Sequence, residues 1–161
     1  MHIRIEVTEN YSVAKAIAPL MNLWEFYCTD VPDDTWTAES VDRNMRNKTR
    51  GGYFVGALMV PTVNYCLAVG IEVDTRILDW IEECRWRAQG VVNMLQSMRK
   101  EKHKELQQAC ARGEPYNERA LNQVDMDLHD AEQILESFKL DPEEYKGAEK
   151  VELPEELYGN Q

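Results

Sequence analysis

Two adjacent carboxylates, Glu82 and Glu83, stand one turn ahead of Arg87-Ala88-Gln89-Gly90-Val91-Val92. Such a carboxylate can act as a general base. A glycine at a helix start lets consecutive backbone N–H groups approach a phosphate closely. That chemistry requires residues 87–92 to form a turn that opens a helix. A second pattern in the same stretch competes with it. From Asp74 to Arg112, Ile77, Ile81, Cys84, Ala88, Val91, Leu95 and Met98 recur at three- and four-residue steps, the spacing of a seam between helices. On this reading Gly90 lies inside one long helix, at a cost of about 1 kcal/mol relative to alanine. The stretch is then a surface for another helix. Both readings stand on the sequence. Trp80, Trp86 and Met94 flank the seam, and large apolar side chains on two faces of one helix predict a subunit contact, that is, a homodimer.

Other chemistry-bearing groups are scattered. Asp125 and His129 share a helical face, with Asp130 beside them, but two ligands one turn apart do not make a metal site, and no metal is expected. The basic run Arg99, Lys100, Lys102, His103 and Lys104 is interleaved with Glu101 and Glu105, as on a solvated helix face. No nucleophile–histidine–acid triad, Walker loop or HExxH is present. Cys28, Cys66, Cys84 and Cys110 form no CxxC pair and read as reduced thiols.

The elements that must position these groups follow from periodicity. His2–Thr8 alternates as a strand, and Ser12 caps a helix to about Cys28 with Val13, Ile17, Leu20, Met21, Trp24 and Phe26 inward and a kink at Pro19. Asp30 to Asp34 is a turn-rich acidic loop, and Thr37 caps a helix to about Lys48. After Arg50-Gly51-Gly52, the apolar runs Tyr53–Val60 and Asn64–Val73 read as a β-hairpin turning at Pro61. Asn117 caps a further helix over about 118–139. It should bury Leu121, Val124, Leu128 and Leu135, expose Asp125, Asp127 and Asp130, and fold back antiparallel on the central stretch. The expected fold class is α+β: an N-terminal strand and a central β-hairpin in a small sheet packed by helices, then a long helical hairpin. Residues 1–140 make one domain, and 141–161 are an acidic, mobile tail.

This order of elements resembles the GNAT acetyltransferase superfamily. Ile3-Arg4-Ile5 is similar to its first strand. Gly51-Gly52-Tyr53-Phe54-Val55-Gly56 is similar to its second, and Arg87-Ala88-Gln89-Gly90-Val91-Val92 to its acetyl-CoA pyrophosphate loop. The resemblance implies acetyl-CoA as cofactor, held on the amides of Arg87 to Val92. It also implies transfer of acetyl to an amine substrate, with Glu82 or Glu83 as catalytic base.

Composition supports a different class equally. Net charge is −11, and residues 113–161 hold 14 acidic against 4 basic side chains, so that third carries nearly all the excess. A phosphate backbone needs a basic surface, so direct nucleic-acid binding is not expected. No apolar run approaches the roughly 20 residues of a membrane span, and no secretory signal opens the chain, so cytoplasmic residence is expected. The alternative is therefore a non-catalytic, acidic interaction protein. It would bind a basic partner protein through its helical hairpin and acidic C-terminal third, as small phage-type inhibitors and nucleic-acid mimics do.

Overall fold

Apolar side chains at helical spacing decide the architecture, and they run straight through the segment read as a hairpin. The computed structural model describes residues 11–29, 35–47 and 54–157. The strand expected at His2–Thr8 and the loop at Asp30–Asp34 lie outside them. Helix α1 spans Tyr11–Thr29, continuous through Pro19, and buries Val13, Ala14, Ile17, Ala18, Met21, Asn22 and Leu23. Helix α2, Ala38–Arg46, starts at Thr37, whose side chain accepts from the Ser40 amide while Ser40 accepts from the Thr37 amide. This reciprocal box satisfies two of the amides that a helix start leaves bare. The Tyr11 hydroxyl donates to the Glu39 carboxylate at 2.6 Å, joining α1 to α2. That bond holds the Glu39 carboxyl below its ordinary pKa and raises the Tyr11 phenol.

The α+β expectation is corrected here: among the described residues there is no strand. Phe54–Met59 is a π-helical stretch leading directly into helix α3, Val60–Val69. Pro61 falls in the first turn of α3, where its missing N–H has no intrahelical partner to lose. Most of the run is buried: Phe54, Val55, Met59, Val60, Val63, Tyr65 and Cys66 each expose 2% or less, and what it leaves exposed, Ala57 and Leu67, is apolar too. A helix that is apolar on every side has no polar face to display its period. At Gly56 an added Cβ would meet the side chain of Ser137, coming within 2.9 Å of its Cβ, so glycine is what lets the π-helical stretch press against the end of the last helix. Gly70, with φ of 78°, closes α3.

Helix α4 runs unbroken from Thr75 to Arg112, 38 residues and so about 57 Å. Asp74 caps it by accepting from the Arg76 amide. The adjacent Arg76 guanidinium, with that amide, holds the Asp74 carboxyl at about 2. Gly113, with φ of 65°, ends α4, and Asn117 caps helix α5, Glu118–Ser137. The pair is antiparallel: Arg99 of α4 reaches Asp125 of α5 at 2.6 Å, and the Tyr116 hydroxyl donates to the Lys102 carbonyl at 3.1 Å. Leu121, Val124 and Leu128 are buried as the spacing predicts, while Leu135 is half-buried. Asp127, expected outside, is instead buried and accepts from Gln123 at 3.0 Å.

Two cores result. The larger joins α1, α2, the π-helical stretch, α3, the first half of α4 and Phe138. The smaller, Val92, Leu95, Leu128 and Ala131, is built from α4 and α5 alone. From this cluster onward the two helices form an arm. No helix among the described residues is long and apolar enough to cross a membrane.

The segment after α5, read from composition as a mobile tail, is seated on the larger core through residue 157. Leu153 is buried, and Tyr145, Ala148, Val151 and Leu157 pack beside it. Three buried polar side chains hold it. Asn22 donates to the Leu157 carbonyl, Asn64 accepts from the Asp141 amide, and the Tyr65 hydroxyl lies between the Glu149 carbonyl (2.7 Å) and the Val151 amide (3.0 Å). Tyr65→Phe leaves both backbone groups without this partner and should cost about 1–3 kcal/mol. Urea unfolding together with hydrogen exchange at Val151 measures it; an unchanged midpoint and unchanged exchange would show that the segment is not held through Tyr65.

Candidate functional site

Residues 87–92 lie in the middle of α4, 12 residues from its first residue at the nearest. Inside a helix each N–H bonds the carbonyl four residues back, so these amides point along the axis and present no cradle for a phosphate. Ala88 and Val92 are buried, Ala88 in the larger core and Val92 in the smaller. Arg87 pairs with Glu83 at 2.7 Å, and Glu82 lies 3.9 Å from Arg85. Gln89 donates to Asn93 at 3.0 Å. The eight residues thus divide between seam and surface of one helix, and Glu82 and Glu83 belong to its solvent-facing ion pairs.

The seam itself is placed as its spacing predicts: Ile77, Ile81, Cys84, Ala88 and Leu95 are buried and Val91 half-buried, though Met98 is exposed. Trp80, read as flanking the seam, is buried. On the opposite side of α4, Trp86, Gly90 and Met94 follow one another at four-residue steps and form a row along the helix. Trp86 is 75% exposed and Met94 50%. At Gly90 a Cβ would meet nothing within 4 Å. The glycine therefore carries its helix cost with no close contact inside the protomer to require it. The signal for this row was present in the sequence: it appears once the side facing away from the heptad seam is marked.

Most of the other groups are engaged or inert. Asp125 is held by Arg99, His129 contacts Gln133, and no cluster of three metal-binding side chains occurs among the described residues. Lys102 pairs with Glu105 at 3.3 Å. Burial pushes the Cys66 and Cys84 thiols up to about 12 and raises Cys28, so none of the three supplies a thiolate near neutrality.

The acidic excess is displayed over the last third. Asp130, Glu132 and Glu136 on α5, and Glu143, Glu144, Glu149, Glu152, Glu155 and Glu156 after it, are all exposed. Within this set ion pairs are confined to Glu136–Lys139 at 4.0 Å and Glu143–Lys146 at 3.8 Å among the described residues. Comparison with protein-family models, curated proteins and solved structures gives no match to this chain.

Proposed function

We propose that this chain is an acidic protein-interaction module whose α5 face and C-terminal segment engage a basic partner protein. The observation that carries the reading is the set of nine exposed carboxylates from Asp130 to Glu156, against the exposed Lys139, Lys146 and Lys150, with the last six of the nine on the segment that Asn22, Asn64 and Tyr65 hold to the body. A fixed surface with so large an acidic excess attracts a basic surface at long range and loses little freedom on docking. Acetyl transfer to an amine, with acetyl-CoA on residues 87–92, competes with this reading, and the same experiment weighs both.

Poly-L-lysine and acetyl-CoA are the two probes. Poly-L-lysine should bind at low salt and weaken steeply toward about 0.15 M, where charges are screened over about 8 Å. Neutralising Glu143, Glu144, Glu149 and Glu152 to glutamine should weaken binding, whereas neutralising Glu82 and Glu83 should not. Acetyl-CoA should leave the melting temperature unchanged, since only a ligand of the native state raises it. Salt-independent binding, or binding indifferent to the four C-terminal changes, overturns the proposal. A thermal shift with acetyl-CoA that Glu82 or Glu83 substitutions alter would move the function to acetyl transfer.

A further inference from the structure

We propose that the row Trp86, Gly90 and Met94 is covered by a second copy of this chain, with the two α4 helices antiparallel and crossing at Gly90. The row lies on the side of α4 turned away from the core seam and α5, so the approach of another helix meets neither. A helix axis can come closest where no side chain intervenes. Gly90 is that place, with open space around its Cα. A two-fold axis there sets each residue opposite one equally far on the other side of Gly90. Trp86 then faces Met94 of the partner subunit, an indole against a thioether, which is a favourable pairing.

Charge selects the occupant and its direction. The charged residues of α4 before Trp86 are the exposed Asp79 and Glu82 and the half-buried Glu83 against the exposed Arg76 and Arg85, whereas from Arg99 to Lys104 the exposed Arg99, Lys100 and Lys104 and the half-buried Lys102 stand against Glu101. Antiparallel pairing brings the acidic end of each helix to the basic end of the other, twice by symmetry. Parallel pairing would set like on like. Glu82 then stands opposite Met98 of the partner subunit, two residues from Lys100 of the partner subunit and within reach of that long side chain. Among the described residues Asp79, Lys100 and Lys104 have no ion pair within the protomer. A purely basic partner, suited to the C-terminal third, would meet repulsion along this basic half. From Arg76 to Lys104 the strip is about 42 Å long. A single helix pair of that length buries on the order of 1,000 Å², the low end for a specific interface, so the dimer dissociates readily on dilution.

Sedimentation velocity of the full chain, from about 1 µM to 1 mM, tests the proposal. A reversible monomer–dimer equilibrium is expected. Trp86→Glu should weaken it about tenfold or more, as loss of a buried aromatic anchor does. Gly90→Ala should act in two directions: the dimer weakens because the methyl separates the helices, while the monomer's melting temperature at low concentration rises by about 2–4 °C. Glu82→Lys and Lys100→Glu should each weaken association, and the double reversal should restore it. A chain monomeric throughout overturns the proposal, as does association that Trp86→Glu and Gly90→Ala leave unchanged. Failure of the double reversal to recover binding overturns the antiparallel arrangement.

Discussion

Phe138→Ala should lower the unfolding free energy by about 3–5 kcal/mol, as truncation of a fully buried aromatic does. Phe138 follows the last turn of α5, exposes 1% of its surface, and belongs to the larger core. It also lies against the π-helical stretch, its Cε1 3.5 Å from where a Cβ on Gly56 would be. The ring thus anchors the returning end of α5 at the place where glycine permits the closest approach. Truncation opens a cavity there and loosens the start of the C-terminal segment, whose Asp141 amide is held by Asn64 only three residues on. Urea denaturation with intrinsic fluorescence measures the loss. A cost within about 0.5 kcal/mol, the range of surface changes, would mean that α5 is not fastened to the body at Phe138.

The long helices were legible because each has one buried face. The three- and four-residue steps of Ile77 to Leu95 and of Leu121 to Leu128 mark those faces directly, and Thr37, Asp74 and Asn117 cap where their side chains can reach the next amides. Phe54 to Val69 was not legible for the opposite reason. Its apolar residues lie on every side, so no period separates a buried helix from a buried strand, and Phe, Val and Tyr favour the strand reading. Pro61 signals a turn between strands and a first helical turn equally well, and packing against the rest of the body decides. The C-terminal segment misleads by composition. Its few apolar residues, Tyr145, Val151, Leu153 and Leu157, all face the core, and the polar groups that hold it lie 77 to 135 residues away in sequence.

The same limit applies to the candidate sites. Arg87 to Val92 has the residue types of a phosphate loop, but residue types do not show whether the amides are free, and the seam running through Ala88 and Leu95 binds them into a helix. Trp86 and Met94 were recognisable as flanking groups. What the sequence lacked was the distinction between Trp80, which the body covers, and Trp86, which it does not. That difference arises because the larger core lies against one side of α4 only, and so belongs to tertiary structure.

Leu95→Ala should cost about 2–5 kcal/mol, and most of the loss should be confined to the arm. Leu95 exposes 1% of its surface within the small cluster formed with Val92, Leu128 and Ala131. No side chain of α1, α2 or α3 belongs to that cluster, so a cavity there removes support from α4 and α5 without unpacking the body. Parts of a protein held by separate clusters can open with separate free energies. Hydrogen exchange on Leu95→Ala should therefore show faster opening across 92–131 while the amides of α1 keep their protection. Trp86, Gly90 and Met94 sit on the opposite face of the same helical turns, so a frayed arm would also present a less regular surface to a second copy. Self-association should then weaken although Leu95 touches no part of the proposed interface. The control is Leu95→Met, which keeps the volume and should restore both protection and association. Equal loss of protection in α1 and in the arm would make the molecule one cooperative unit, and the division into body and arm would fail.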